Sequence, residues 1–375
     1  MNDSFEDIRP YYDEEIPDAM RRIARSEFFS LLAEYVFPGE EIESVRRRIL
    51  GFRTIEEFQL QVMKRVNEQV IARSIASFTY DGMERLDPAK RYLFVSNHRD
   101  IMLDASLLQY VLVTNGHPTS EITFGANLMS SQLVIDIGRS NKMFRVERGG
   151  NMKDFYKSSL HCSQYIRHAI TEKRQSVWIA QHNGRTKDGN DTTDQGIIKM
   201  FCMSGPQDKI ASLAELCIVP VAVSYEWEPC DLLKARELCE ARFSAYVKKP
   251  GEDLNSILTG ILQPKGAVHF SFGRPLGEAD LRPYENLAPG ECHKQIAALI
   301  DKTIRSHYRL SPNNFIAHDL LHKEHRFADR YNPQQMQAFL RHIERLDCLD
   351  VSDRGLLRNI FLRIYSTPAD HAHNN

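Results

Sequence analysis

The stretch "RYLFVSNHRDIMLDASLLQYVLVTN", Arg91 to Asn115, decides the fold. Its first part, "RYLFVSN", is a short apolar run between Pro88 and a polar break, which reads as a buried strand. Its last part, "DASLLQYVLVTN", reads as a helix. The same texture recurs downstream. "EITFGA", "KMFRVE", "SVWIAQ", "CIVPVAVSY" and "AVHFSFG" are further strand candidates, separated by helical patterns at Met129 to Asp136, Lys153 to Glu172, Lys209 to Leu216 and Asp231 to Tyr246. Strands alternating with helices predict an α/β domain with a mixed, largely parallel sheet flanked by helices.

Working outward, residues 16 to 75 read as helices, because apolar positions such as Ile23, Phe28, Leu31, Leu32 and Tyr35 recur at three-to-four spacing. In "TIEEFQLQVMKRVNEQVIARSIASF", Phe58, Leu60, Val62, Val66, Val70 and Ile71 form an apolar stripe for packing against the rest of the chain. A membrane-facing role for "MRRIARSEFFSLL", with Arg21, Arg22 and Arg25 flanking apolar residues, is the weaker alternative. Beyond Glu291, "HKQIAALIDKTIRSHY", "NPQQMQAFLRHIERL" and "SDRGLLRNIFLRIY" are helical again. The expected layout is a helical N-terminal region (1–78), an α/β domain (79–290) and a helical C-terminal region (291–375). No internal repeat or low-complexity tract is present, which excludes a solenoid.

Composition narrows the function classes. The 48 basic and 50 acidic residues nearly cancel, so no global field recruits nucleic acid. The seven cysteines are odd in number and form no C-x-x-C pair, which argues against a disulfide framework or zinc ribbon and suits a reducing cytoplasm. The start "MNDSFEDIRPYYDEE" lacks the basic and apolar regions of a signal peptide. No apolar run approaches the roughly 18 to 20 residues that span a bilayer, "LCIVPVAV" being the nearest. A cytoplasmic protein, soluble or peripheral on a membrane, is expected.

Four stretches carry candidate chemistry. In "SNHRDIMLDAS", His98 sits at the turn after a strand, where α/β proteins place reactive groups. Asp100 and Asp104 are both close enough to orient it as a general base. The same residues also suit a cap on the following helix, while a metal site lacks further ligands at zinc spacing. Arg145 and Arg148 in "NKMFRVERGG" run into paired glycines, a pattern suited to clamping phosphate, or to a solvated strand end. In "SVWIAQHNGRTKDGNDTTDQG", Gly184, Arg185 and Lys187 suit a backbone nest with a cationic lid for an oxyanion. Pro220 interrupts "LCIVPVAVSYEWEPCD", predicting an edge strand or bulge.

Taken in order, these stretches resemble the four sequence blocks of the glycerolipid acyltransferase family, which includes glycerol-3-phosphate and 1-acylglycerol-3-phosphate acyltransferases. "NHRDIMLD" is similar to the first block, "FRVER" to the second with Arg148 at the phosphate-contacting position, "NGRTK" to the third and "IVPVAV" to the fourth. The resemblance spans about residues 92 to 226. Two departures stand out: His98 and Asp104 are separated by five residues where the family has four, and Asn183 stands where the family has glutamate.

The resemblance implies transfer of a fatty acyl group from acyl-CoA or acyl-carrier protein, as co-substrate, to a hydroxyl of a glycerol-phosphate or lysophospholipid acceptor, in phospholipid biosynthesis. His98 would be the base, Asp104 its orienting partner with Asp100 as runner-up, and Arg145, Arg148, Asn183, Gly184, Arg185 and Lys187 the acceptor contacts. No metal or bound cofactor is implied. A thioester or ester hydrolase and a non-catalytic lipid-binding protein of the same fold are the alternatives.

Overall fold

The computed structural model describes residues 5–129, 131–147, 149 and 151–373. The sheet is built first from β2 (Leu93–Ser96), whose four residues are all buried, and from its neighbours β5 (Val177–Ala180) and β6 (Ile218–Tyr225), also buried throughout. Apolar runs without alternation are what a strand covered on both faces requires. With β1 (Ile75–Asp81), β3 (Glu121–Gly125), β4 (Met143–Val146) and β7 (Gly266–Phe272), the described residues form one sheet in the order β1-β7-β6-β2-β5-β3-β4. The pairs are parallel except β6 with β7, so the mixed, largely parallel sheet is found as expected.

Helices enclose this sheet. Ahead of it lie α1 (Ile16–Arg25), α2 (Phe29–Val36), α3 (Ile42–Leu50), α4 (Ile55–Phe58) and α5 (Lys64–Ser74). Within it come α6 (Leu103–Thr114), α7 (Gln132–Ser140), α8 (Met152–Thr171), α9 (Gln195–Cys202), α10 (Lys209–Ala214), α11 (Asp231–Glu240), α12 (Glu252–Leu262), α13 (Glu278–Leu281) and α14 (Pro289–His307). The tail is α15 (Pro312–His322), α16 (Pro333–Glu344) and α17 (Arg354–His373). One core layer packs Leu93, Val95 and Ile179 against Tyr165, Phe201, Ile296 and Ile300, and the other packs Phe94 and Trp178 against Leu107, Leu108, Phe270 and Phe272. Truncating a side chain such as Phe94 to alanine costs about 3–5 kcal/mol.

Several boundaries differ from the sequence reading. The helical pattern through "SIASF" ends at Ser74, and Ile75–Asp81 is a strand, because its β-branched and aromatic residues pair in parallel with β7. The helix expected from Asp231 to Tyr246 stops at Glu240, and that expected at Met129 to Asp136 runs Gln132–Ser140. α12 was not expected. α14 belongs to the α/β layer rather than to a separate tail, since Cys292, Ile296, Ile300 and Ile304 are buried in the sheet's core. Pro220 sits in an interior strand, not at an edge. It is tolerated because its carbonyl accepts from Gly273 N (2.9 Å), so the side of Pro220 lacking an N–H faces the point where pairing with β7 has run out.

The N-terminal helices have their own core, in which Ala19, Met20, Ile23, Ala24 and Phe29 are buried with Phe37, Val45 and Phe58. Arg22 donates to Asp136 of α7 at 2.7 and 2.9 Å, which ties α1 to the sheet's helices, while Phe28, Leu31 and Leu32 of the stretch considered for a membrane remain exposed. Among the described residues no helix is long and apolar enough to cross a membrane.

Candidate functional site

Three of the four stretches singled out in the sequence converge at the carboxyl ends of β2, β5 and β6, where open α/β sheets present ligands. Asn97 extends the β2–β6 pairing through its side chain, with Oδ1 accepting from Val223 N (2.7 Å) and Nδ2 donating to Val223 O (2.9 Å). That side-chain clamp fixes the exit direction of the chain, and His98 follows it.

The His98 ring is held by Asp104. Nδ1–H donates to Asp104 Oδ2 at 2.9 Å, and the same oxygen accepts the backbone amides of Arg99 (2.5 Å) and Asp100 (2.9 Å). Asp104 Oδ1 accepts from Tyr225 Oη (2.8 Å), whose hydroxyl is kept protonated well above its ordinary range by burial and by the Asp104 and Asp100 charges. Four donors on one buried carboxylate fix its position and leave it no freedom to rotate. The tautomer this selects carries its proton on Nδ1 and presents Nε2 as a base. The edge of His98 also meets the Trp178 ring at 5.8 Å, and Trp178 Nε1 donates to Ser96 Oγ (3.0 Å).

Asp100 has the other role open to it, the helix cap. Its Oδ1 accepts from Met102 N (2.9 Å) and Leu103 N (2.8 Å) at the start of α6, while Oδ2 is buried without a hydrogen-bond partner among the described residues. Burial, then the nearby Asp104 charge, raises its carboxyl above the ordinary range. Helix α12 presses on this turn: a Cβ on Gly260 would stand 2.1 Å from Asp100 Oδ2, so only glycine allows the approach. The cap and the histidine partner are therefore two different aspartates.

Beneath the turn lies a buried charge network. Arg99 is fully buried, donating to Asp191 Oδ2 (2.5 Å) and Glu228 Oε2 (3.2 Å), and Lys234 Nζ binds Glu228 Oε1 and Arg99 O, each at 2.6 Å. Two cations and two anions balance, as a buried network must. Asp191 also accepts from Asn97 Nδ2 (3.2 Å) and Thr186 Oγ1 (2.8 Å), and Thr186 N donates to His98 O (2.7 Å). The loop after β5 is thus tied directly to the His98 turn. The sequence reading did not single out Arg99, Asp191, Tyr225, Glu228 or Lys234. Arg99 and Asp191 lay inside stretches already quoted, but a buried arginine is not distinguishable from a surface one by spacing.

His98 opens onto a cleft of about 610 Å³ that also takes in Thr123, Trp178, Gly184, Arg185, Lys187 and Lys248. Gly184 adopts a φ of +78°, the left-handed turn that glycine favours. Arg185 has its Nη1 buried without a partner among the described residues. Lys187 is ion-paired with Glu237. Asn183 is exposed and lines a neighbouring cleft of about 890 Å³ with His182, Val146, Phe155, Ile179, Ile197 and Met200, which shares Thr123, Gly125 and Ala180 with the first. Arg145 is exposed, paired with Glu147 at 2.5 Å, and does not line the His98 cleft. Arg148 lies outside the described residues.

Residues 77–224 match the model of the Acyltransferase family, a span that contains all four sequence blocks. That match agrees with the family expected from the order of the blocks. Among solved structures, the chain is similar to one described as the 1-acyl-sn-glycerophosphate (LPA) acyltransferase, PlsC, from Thermotoga maritima. The likeness is 10% in identity, over 78% of this chain and 94% of that one, with a TM-score of 0.38. No curated protein matches the chain.

Proposed function

We propose that the domain transfers a fatty acyl group from an acyl-CoA or acyl-carrier-protein thioester to the hydroxyl of a glycerol-phosphate or lysophospholipid acceptor. The observation that carries this reading is the 2.9 Å bond from His98 Nδ1 to a buried Asp104, in a cleft that also holds Gly184, Arg185 and Lys187.

In this mechanism Nε2 of His98 removes the acceptor hydroxyl proton as that oxygen attacks the thioester carbonyl. Asp104 stabilises the imidazolium so formed. Collapse of the tetrahedral intermediate breaks the C–S bond, the imidazolium returns its proton to the departing sulfur, and an ester and a free thiol result. No acyl-enzyme is required. The amides of Arg99 and Asp100 cannot serve the oxyanion, because both are spent on Asp104. The amides of Gly184 and Arg185, which meet no backbone acceptor among the described residues, are the donors assigned to it.

Arg185, with Lys187 and Arg148, holds the acceptor phosphate; the place of Arg185 and Lys187 on the lining of the His98 cleft supports that role. The acyl chain occupies the neighbouring cleft, whose Val146, Phe155, Ile179, Ile197 and Met200 give it an apolar lining. Asn183 stands at the junction of acyl chain and acceptor and sets the choice of acceptor. The domain works as a peripheral protein at the cytoplasmic membrane face, where such acceptors reside.

The test is product analysis with purified protein, acyl-CoA and acyl-carrier-protein donors, and glycerol phosphate, lysophosphatidic acid and an amino-acid-based lysolipid as acceptors. Acylated acceptor supports the reading. Free fatty acid alone selects hydrolysis, and lipid binding without turnover selects a non-catalytic protein.

A further inference from the structure

The C-terminal helices hold a cluster that acyl transfer does not use. His318 and His322 lie four residues apart on α15, so both rings project from one helix face. Opposite them, near the end of α17, is Asp370. His318 Nδ1 is 2.6 Å from Asp370 Oδ1, His322 Nε2 is 3.9 Å from the same oxygen, and the two imidazole centroids are 4.5 Å apart. On its other edge, His318 Nε2 is 2.7 Å from Glu324 Oε1.

A neutral imidazole has one N–H and one lone pair. Both nitrogens of the buried His318 nevertheless face carboxylate oxygens. If Glu324 accepts the Nε2 proton, the Nδ1 lone pair is left against Asp370, and two acceptors in contact require a cation between them. That cation is a second proton or a metal ion. His322 favours the metal, because its separation from Asp370 is too long for a hydrogen bond and close to the ~3.4 Å between two ligands of one tetrahedral zinc. The three ligand atoms lie within 4.8 Å of one another. Glu324 supplies the outer carboxylate that fixes the tautomer and orientation of a ligating histidine.

We propose that His318 Nδ1, His322 Nε2 and the Asp370 carboxylate bind a divalent transition ion of the zinc class, with water completing the coordination. Two imidazoles and one carboxylate suit such an ion better than calcium or magnesium, which take oxygen ligands. The ion clips α17 to α15. Its structural consequence reaches the site, because Tyr365 Oη on α17 donates to Asp231 Oδ2 (2.6 Å) and accepts from Glu228 N (3.0 Å), and Thr367 Oγ1 donates to Asp188 O (3.0 Å).

The experiment loads the full-length, metal-stripped protein with Zn²⁺ alone, dialyses it, and measures metal content and Tm for the wild type, His322→Ala and Asp370→Asn. His322 is half-exposed and reaches Asp370 only at 3.9 Å, so its loss leaves the fold intact, which circular dichroism checks. The wild type is expected to retain one equivalent per chain and to gain about 3–4 °C in Tm at hundredfold excess over its Kd. Both variants are expected to lose the retained metal and the Tm gain. Absence of retained zinc in the wild type, or retention by the variants equal to it, overturns the proposal.

Discussion

Replacing Asp104 by asparagine removes one charge from the site while keeping its shape. Oδ2 of Asp104 accepts three N–H groups, from His98, Arg99 and Asp100, and Oδ1 accepts the Tyr225 hydroxyl. An asparagine amide keeps all four contacts if its oxygen takes the place of Oδ2 and its nitrogen donates to Tyr225, whose hydroxyl then turns to accept. The reverse orientation would set an NH₂ group against three donors. His98 therefore keeps its orientation and tautomer. A bond to a charged acceptor contributes about 1 kcal/mol more than one to a neutral acceptor, so three of them set a stability cost of about 2–3 kcal/mol. The catalytic cost is larger: without a carboxylate to stabilise the imidazolium, the general-base contribution of about 10²- to 10⁴-fold is lost, which corresponds to about 3–5 kcal/mol of barrier. The assay is kcat/KM for acyl transfer from a thioester, paired with denaturant unfolding of the same preparation. A folded Asp104→Asn protein with kcat/KM within threefold of wild type would refute the assignment. Alanine is the wrong substitution, because it strands four buried donors and unfolds the turn.

Asp100→Asn has the opposite expectation. The folded state binds the Asp100 proton more tightly than the unfolded state, so stability falls as pH rises from the ordinary carboxyl value through the raised one, and the deficit is complete above it. Asparagine keeps the cap through its oxygen and removes this dependence, so urea unfolding at neutral pH is expected to show equal or greater stability with activity retained. A loss above about 1 kcal/mol contradicts the capping account. Glu228→Gln leaves Arg99 and Lys234 with one anion between them and is expected to cost about 3–5 kcal/mol in unfolding free energy; a cost under about 1 kcal/mol would show that the network is hydrated. Ile197→Trp narrows the neighbouring cleft and is expected to shift donor preference toward shorter acyl chains, measured by competition between chain lengths; unchanged preference places the acyl chain elsewhere.

The local pattern around His98 carried the strand, the turn and the helix, because uninterrupted apolar runs and cap-forming residues act over a few positions. It left Asp100 and Asp104 equivalent. Their separation depends on the first turn of α6, which sends Asp104 back under His98 and leaves Asp100 at the helix start, a difference of one helical turn that composition does not encode. β1 was read as helix because "SIASF" continues the apolar stripe of α5, and only its pairing with β7, some 190 residues downstream, makes it a strand. Arg99 and Glu228 were invisible for the same reason: their partners come from loops far apart in the chain, and a buried ion network has no periodicity. The basic residues fared unevenly, since Arg185 and Lys187 line the His98 cleft whereas Arg145 turns to solvent beside Glu147.

The most direct measurement is the transfer reaction itself, with wild type and His98→Ala compared on the same thioester and lyso-acceptor, following acylated acceptor and released thiol together. The account predicts one thiol per ester formed by the wild type, and a fall of about 10²- to 10⁴-fold in the variant with its unfolding curve preserved. Ester formation at equal rates by the two proteins would contradict it.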